Sequence, residues 1–471
     1  MLILITLIPF LCGLSVLLPV TRMFRIRLFV IVSFVHSISV ASFWCSRPTP
    51  EFQGYLVLDA LGLLFLSVIS FLFLSVSVFM LGYFKHEKRN SRTFTACLMF
   101  LLCTMTVVTL SNHMGLLWVA VEATTLFSAP LISFHRTRES LEATWKYLLI
   151  CSVGIALALM GTFFLAIAAH QVDSLMLPAV LSGASALSVN WLKISVIFLL
   201  VGYGCKLGLA PMHSWKPEAY GRSTGMTSVL MAGGLTQCAF LALVRVSQIC
   251  FKTGLGQFYG SILILTGILS LIVAAVFVLG EKNLKRSFAY SSIEHMGILV
   301  LGLGLGGVGI FGALFHVINN ALAKVVMFLT AGSVAQKYGS ANSSDVRGVI
   351  HLYPVTGILL IIALFGGTGM FPFATFHSEL MIINAAVMSK RYLLAGTIVL
   401  SLGIIFIGLA KIVLGFVYGR STEPVLPKRE NAIMNAVIAL AAALLVVLGI
   451  WMPAPLTRVI SDAAALIGST P

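Results

Sequence analysis

Charge is what this sequence has least of. Only 10% of its 471 residues are Asp, Glu, Lys or Arg, and acids are outnumbered by bases, 15 to 30. That is too little polar surface for a soluble domain, which excludes a water-soluble enzyme. The eight cysteines stand singly, with no CxxC or CxxCH. A disulfide framework, a thiolate metal site and covalent haem are thereby excluded, and the cysteines read as small packing residues. HExxH, P-loop, flavin and iron–sulfur patterns are missing as well, so the chain carries no cofactor and no redox chemistry of its own. The GLGLGG run at 302–307 lies in an apolar stretch and follows no strand. It reads as a helix-packing surface, not a dinucleotide loop.

What the chain has is apolar length. It is 59% hydrophobic, with a mean hydropathy of +1.04. Runs of about eighteen or more apolar residues recur, and they lack the alternation of a barrel strand. The fold class is therefore an all-α polytopic membrane protein. Its spans fall near 2–20, 27–45, 56–83, 94–111, 113–133, 146–169, 191–214, 224–247, 257–279, 288–307, 310–336, 355–386, 392–418 and 431–452, about fourteen of bilayer length. The first twenty residues lack a basic leader and a cleavage site and read as a retained helix. Residues 170–190 read as a loop, and the tail after Trp451 as too short for another crossing.

The net charge of +15 does not imply a nucleic-acid partner. Arg22, Arg25 and Arg27 follow the first span, Lys85, Lys88, Arg89 and Arg92 the third, and Arg136 and Arg138 the fifth. Lys216 and Arg222 follow the seventh, Lys282, Lys285 and Arg286 the ninth, and Lys428 and Arg429 precede the last. Every second loop is basic. The positive-inside rule then puts both termini outside a prokaryotic cytoplasmic (inner) membrane.

Ionisable residues inside spans are few, and such residues mark ion paths and proton relays. They are Asp59, Glu122, Lys206, Glu294 with His295, His316, Lys324, Glu379 and Lys411. The chain centres on VGYGCKLGLAPMHSWKPEAY, 201–220, where Lys206 precedes Pro211 by five positions. Proline removes a helical donor and clashes one turn back, so the helix breaks near Leu207. A lysine in hydrocarbon costs about 2.5–3.5 kcal/mol, which a functional role would explain. The twelfth span repeats the pattern, with GGTGMFP ending at Pro372 just before Glu379. Interrupted segments five spans apart point to two inverted halves and to a transport site in the membrane. Lysine suits proton relay, since desolvation favours release and a nearby carboxylate favours retention; Glu122 is the expected partner of Lys206. His295 and His316 are expected to pass protons between sites. Plainer readings stand beside these. Arg245 and Lys411 fit snorkelling side chains near helix ends. His213 fits a cap on the broken helix, Glu294 a local pairing, and Asp59 a helix N-terminal charge.

At these residues the sequence resembles the antiporter-like membrane subunits of respiratory complex I, multi-subunit Na⁺/H⁺ antiporters and membrane-bound hydrogenases. The resemblance spans nearly the whole chain. It rests on WVAVEATTL, KLGLAPMHSWKPEA, AYSSIEHMG (289–297) and NALAKVVMFLTAGSV (320–334). EATWKYLLICSVGIALALMGTFF (142–164) and SSIEHMG are most similar to the hydrogenase-4 F-type subunit. The resemblance implies that Glu122 is the fifth-helix glutamate and Lys206 the seventh-helix lysine that it modulates. It makes His295 and His316 part of a central hydrophilic axis, Lys324 the eleventh-helix lysine and Glu379 the terminal ionisable residue. Discontinuous helices 7 and 12 would belong to two inverted five-helix repeats, at 94–250 and 251–420, flanked by 1–93 and 421–471. The sequence departs from the family where relatives often carry an eighth-helix lysine, which is here Gln237, a residue able to orient water. It departs again where P-D-A-H is Pro217, Glu218, Ala219, Tyr220. The chain stops after about fourteen spans and is expected to lack the long lateral helix of the family's largest member.

The function expected is proton translocation in a redox-driven complex, hydrogenase- or complex I-like, with redox cofactors in partner subunits. The alternatives are a Na⁺/H⁺ antiporter subunit without a redox partner and a structural membrane anchor; the ion expected is H⁺, with Na⁺ as the other reading. Expected partners are the other membrane and peripheral subunits and the lipid bilayer.

Overall fold

The computed structural model describes residues 1–84, 92–420 and 428–468; Lys85, Lys88 and Arg89 lie outside them. In chain order the helices are α1 (Leu2–Leu17), α2 (Arg22–Phe43), α3 (Ala60–Tyr83), α4 (Arg92–Leu110), α5 (Met114–Ile132), α6 (Arg138–Ala168) and α7 (Leu177–Ser182). Next come α8 (Val189–Leu207), α9 (Trp215–Arg222), α10 (Gly225–Val229), α11 (Thr236–Lys252), α12 (Gly256–Val278), α13 (Leu284–Leu305) and α14 (Val308–Tyr338). The chain continues through α15 (Val349–Leu352), α16 (Pro354–Gly367), α17 (Ala374–Met388), α18 (Tyr392–Tyr418), α19 (Ala432–Ile450) and α20 (Ala454–Ala465). Among the described residues the only β pairing is isolated bridges. Among the described residues, twelve helical segments are long and apolar enough to cross a membrane, and α1 and α16 are shorter apolar helices. The chain is a multi-pass membrane protein.

Helix starts follow local chemistry. Thr21, Asp59, His113, Thr137, Asn283 and Asn431 each accept a backbone N–H of the turn they open, which satisfies donors no helix can satisfy itself. Thr137 also explains why α6 starts eight residues before the apolar run expected at 146: the cap extends the helix beyond it. The outward face of α6 carries Trp145, Leu149, Val153, Met160 and Phe163, an apolar face suited to lipid. Its inward face is built for close approach. A Cβ on Gly202 of α8 would lie 2.5 Å from the Ala158 nitrogen of α6, so those backbones pack directly, as small residues allow. Gly302 does the same in the 302–307 run, 2.7 Å from the Gly309 carbonyl, whereas Gly306 and Gly307 turn the chain with positive φ.

Two expected spans are interrupted. The seventh is α8, a turn at 208–214 and α9. Gly208 ends α8 with φ +73°, and a Cβ there would stand 2.3 Å from Lys216 Cε. The Cys205 carbonyl accepts from both Gly208 N and Trp215 Nε1, each at 3.0 Å. The twelfth is α16, a turn at 368–373 and α17. There the Gly366 carbonyl accepts from Thr375 Oγ1 at 2.9 Å. Ala210–Pro211 and Phe371–Pro372 are both cis. The eighth span is continuous but contains a π turn, Leu230–Leu235, just before Gln237. Within 170–190, expected as loop, α7 forms one short helix. The tail folds as the twelve-residue α20.

Three basic residues are not where the sequence placed them. Arg245 does not snorkel: it is 4% exposed and grips Asp59 with two bonds of 2.6 and 2.8 Å. Asp59 also caps α3 at Gly62 N, 2.7 Å away. Lys285, expected in a loop, is buried and donates to the Ser223 carbonyl at 2.8 Å. Lys216, also expected in a loop, is fully buried. The break at Gly208 folds α9 back into the bundle, which no charge count along the chain reveals.

Candidate functional site

The first polar cluster joins α5, α6 and α8. Lys206, in the last turn of α8, is fully buried and donates to Thr125 Oγ1 of α5. Thr125 in turn donates to Glu122 Oε2 at 3.0 Å. Glu122 and Lys206 are thus joined through a hydroxyl, not by a direct ion pair. Lys206 Nζ also lies 3.5 Å from the Tyr147 hydroxyl of α6, which shares a 2.6 Å hydrogen bond with Ser128. One residue between the pair, with acceptor and donor capacity on a single oxygen, can pass a proton as well as hold the charges.

The second cluster joins α13, α14 and α17. His295 Nδ1 lies 2.9 Å from His316 Nε2. His316 Nδ1 is 2.9 Å from Ser378 Oγ, and Ser378 Oγ accepts from Asn319 Nδ2 at 3.2 Å. The other end, His295 Nε2, faces the Gly367 carbonyl at 3.1 Å, in the last turn of broken α16. A carbonyl only accepts, so in the neutral pair His295 carries its hydrogen on Nε2 and His316 donates from Nε2; these tautomers follow from the network. His295, His316 and Glu379 each bring a ligand atom within 4.8 Å of the others. That donor set could coordinate a metal, but every imidazole nitrogen is already engaged, and the arrangement is that of a hydrogen-bonded string.

Lys324 of α14 reaches Ser291 Oγ of α13 at 3.3 Å and lies within electrostatic range of Glu294 and Glu379. Glu294 is 1% exposed, and neither oxygen has a protein hydrogen-bond partner. Its local pairing is therefore not found; its neighbours are Glu379 and Lys324. Glu379 sits against the backbone at Gly369, in the break of the twelfth span. Gln237 is fully buried, with both polar atoms unpartnered. His213 lies in the first break, its carbonyl accepting from Lys216 N at 3.0 Å and its ring near Phe277. Lys411 lies apart from all of these: it is exposed on α18 in a surface groove with Glu281, Lys282 and Arg347. The structure thus brings Glu122 to Lys206 and gathers His295, His316, Lys324 and Glu379, while Lys411 stays outside. Sequence reasoning missed Thr125, Tyr147, Ser378 and Asn319. Hydroxyls and amides at helical spacing are common, and only their facing partners mark these.

Buried ionisable groups strung between helices, two of them broken, are the arrangement expected of a membrane protein with an internal ion path. The chain belongs to the NADH:quinone oxidoreductase/Mrp antiporter transmembrane family, whose signature matches residues 111–405. It is 32% identical over 411 residues to the hydrogenase-4 component F homolog of Methylacidiphilum infernorum, covering 84% of this chain and 85% of that one. It is 25% identical over 418 residues to NADH-quinone oxidoreductase subunit N of Deinococcus radiodurans, covering 87% and 84%. Among solved structures, a chain of the archaeal membrane-bound sulfane sulfur reductase superposes with a TM-score of 0.90 at 21% identity, covering 99% of this chain and 98% of that one. A chain of the Mrp complex from Dietzia sp. gives 0.85 at 17% identity, covering 98% and 97%. These likenesses establish the shared fold.

Proposed function

We propose that this chain is the proton-translocating, antiporter-like membrane subunit of a redox-driven complex of the hydrogenase-4 or complex I kind. The observation that carries the reading is the Glu122–Thr125–Lys206 bridge, which joins a half-buried carboxylate to a fully buried lysine where α8 breaks. Glu122 close by favours a charged Lys206; withdrawal of Glu122 leaves a desolvated ammonium that favours release. The proton then moves along the membrane plane toward Lys324, the histidine string and Glu379, with water linking buried groups that lack protein partners. A cavity of about 450 Å³, lined by His135, Glu139, Arg222, Asn283 and Lys285, is the intake on the basic-loop side. Residues 94–250 and 251–420 act as two inverted halves, each with one broken helix. The termini lie outside a prokaryotic cytoplasmic membrane, as the basic loops direct. Redox cofactors reside in partner subunits, and this chain moves the ion. The relatedness to a hydrogenase-4 component F homolog supports the redox-coupled reading over a stand-alone Na⁺/H⁺ antiporter.

The test is gentle solubilisation, capture through a tag and mass spectrometry of what accompanies the protein. Iron–sulfur and hydrogenase- or dehydrogenase-like subunits are expected. Recovery of only paralogous membrane subunits would overturn the redox-coupled reading in favour of a secondary antiporter.

A further inference from the structure

Lys216 is a buried cation that the path described so far does not use. It is fully buried, its stem lies across Gly208, and its Nζ has no hydrogen-bond partner in the protein. Its helix, α9, packs against both α6 and α13. Trp215 lies against Tyr147 of α6, ring centroids 5.0 Å apart, and Tyr147 touches Lys206. Glu218 of α9 pairs at 2.9 Å with Arg286 of α13, the helix that carries Ser291 and His295. Lys216 is within electrostatic range of Cys151 and Lys324 and of His295; Cys151 is within range of Lys206 as well. The amine therefore stands between the two clusters.

Neither ordinary use of a lysine fits. With no exposure it cannot snorkel. The nearest carboxylate in sequence, Glu218, is engaged by Arg286. Gln237, buried in the following span, cannot titrate, so it offers orientation but no site for a proton.

Resting on the relay reading above, we propose that Lys216 carries the proton across the junction between the Lys206 cluster and the Lys324–histidine cluster, the step that Gln237 cannot perform. A proton leaves the Lys206 ammonium and adds to the Lys216 amine through intervening water. One N–H bond breaks on the donor and one forms on the acceptor. Lys216 and Lys324, two like charges in a low-dielectric interior, disfavour being charged together, so arrival on one drives departure from the other.

The test uses the assembled complex in sealed vesicles, comparing wild type with Lys216→Met, Lys216→Arg, Lys216→His and Glu122→Gln. Methionine keeps the stem over Gly208 and removes the amine. Arginine keeps the charge but does not release its proton. Both are expected to assemble normally and to lower proton uptake at least tenfold, while Lys216→His restores uptake with a displaced pH profile. A structural role predicts instead that Met is tolerated and that His leaves the profile unmoved. Normal uptake in Lys216→Met alongside lost uptake in Glu122→Gln would overturn the proposal and leave the relay reading intact. Normal uptake in both would overturn the relay reading itself. Should Met prevent assembly, the Arg and His pair decides in the same way.

Discussion

Nδ1 of His295 lies 2.9 Å from Nε2 of His316, so the two rings form one hydrogen-bonded unit across α13 and α14. Its open end is Ser378 and its closed end the Gly367 carbonyl. A proton entering at His316 Nδ1 can reach His295 at once, but it leaves His295 only if the ring or the broken end of α16 moves. His295→Gln, which removes a positioned acid–base group, is expected to lower proton uptake by the assembled complex at least tenfold. Ser378→Ala, which removes only the end donor, is expected to cost less. Uptake assays in vesicles rank the two.

Thr125 is the only side chain seen bridging Lys206 to Glu122 among the described residues. Thr125→Val keeps the shape and deletes the hydroxyl. It leaves a buried ammonium short of an acceptor, at about 1–3 kcal/mol, and is expected to cut uptake severalfold. Thr125→Ser retains the oxygen and is expected to stay within twofold of wild type in the same assay.

Gly208 holds the first break with φ +73°. Gly208→Ala meets a left-handed backbone penalty of about 1–2 kcal/mol and also drives a methyl into the Lys216 stem. Lower thermal stability in detergent is expected. Gly403→Ala, facing open space on α18, is the control and is expected not to lower the melting temperature, since alanine favours a helix interior over glycine.

Glu430 ties two elements together at the membrane surface. It accepts from Val355 N at 2.8 Å and Thr356 N at 3.1 Å, opening α16, and pairs with Lys337 of α14 at 2.9 Å. Burial alone would raise its carboxyl, but hydrogen bonds from Thr356 and Lys337 overcome this and hold it below its ordinary value. A depressed carboxyl contributes stability above its unfolded value, near about pH 4.3, and loses it as pH falls through the lower folded value. The wild-type melting temperature is expected to drop over that acid window. Glu430→Gln is expected to be less stable at pH 7 and to show a smaller acid-dependent drop.

Membrane class, the breaks at Gly208 and before Pro372, and the residues Glu122, Lys206, His295, His316, Lys324 and Glu379 were legible because each stands out from an apolar background. The partners were not. Asp59 and Arg245 are 186 positions apart, and nothing local pairs them. Lys216 reads as a loop cation because it follows a span, yet the break that the sequence does reveal carries it inside. Lys411 shows the reverse: an isolated charge in an apolar run, which the path of α18 turns outward. Span length says when a helix crosses the membrane, but the side a residue faces is set by neighbours distant in the chain.

The most direct measurement is redox-driven proton uptake by the purified complex in sealed vesicles, wild type against Lys206→Met, with assembly and electron transfer to an artificial acceptor monitored in parallel. The account predicts an intact complex that still transfers electrons and whose proton uptake falls at least tenfold. Uptake at the wild-type rate through a complex lacking the Lys206 amine would contradict it.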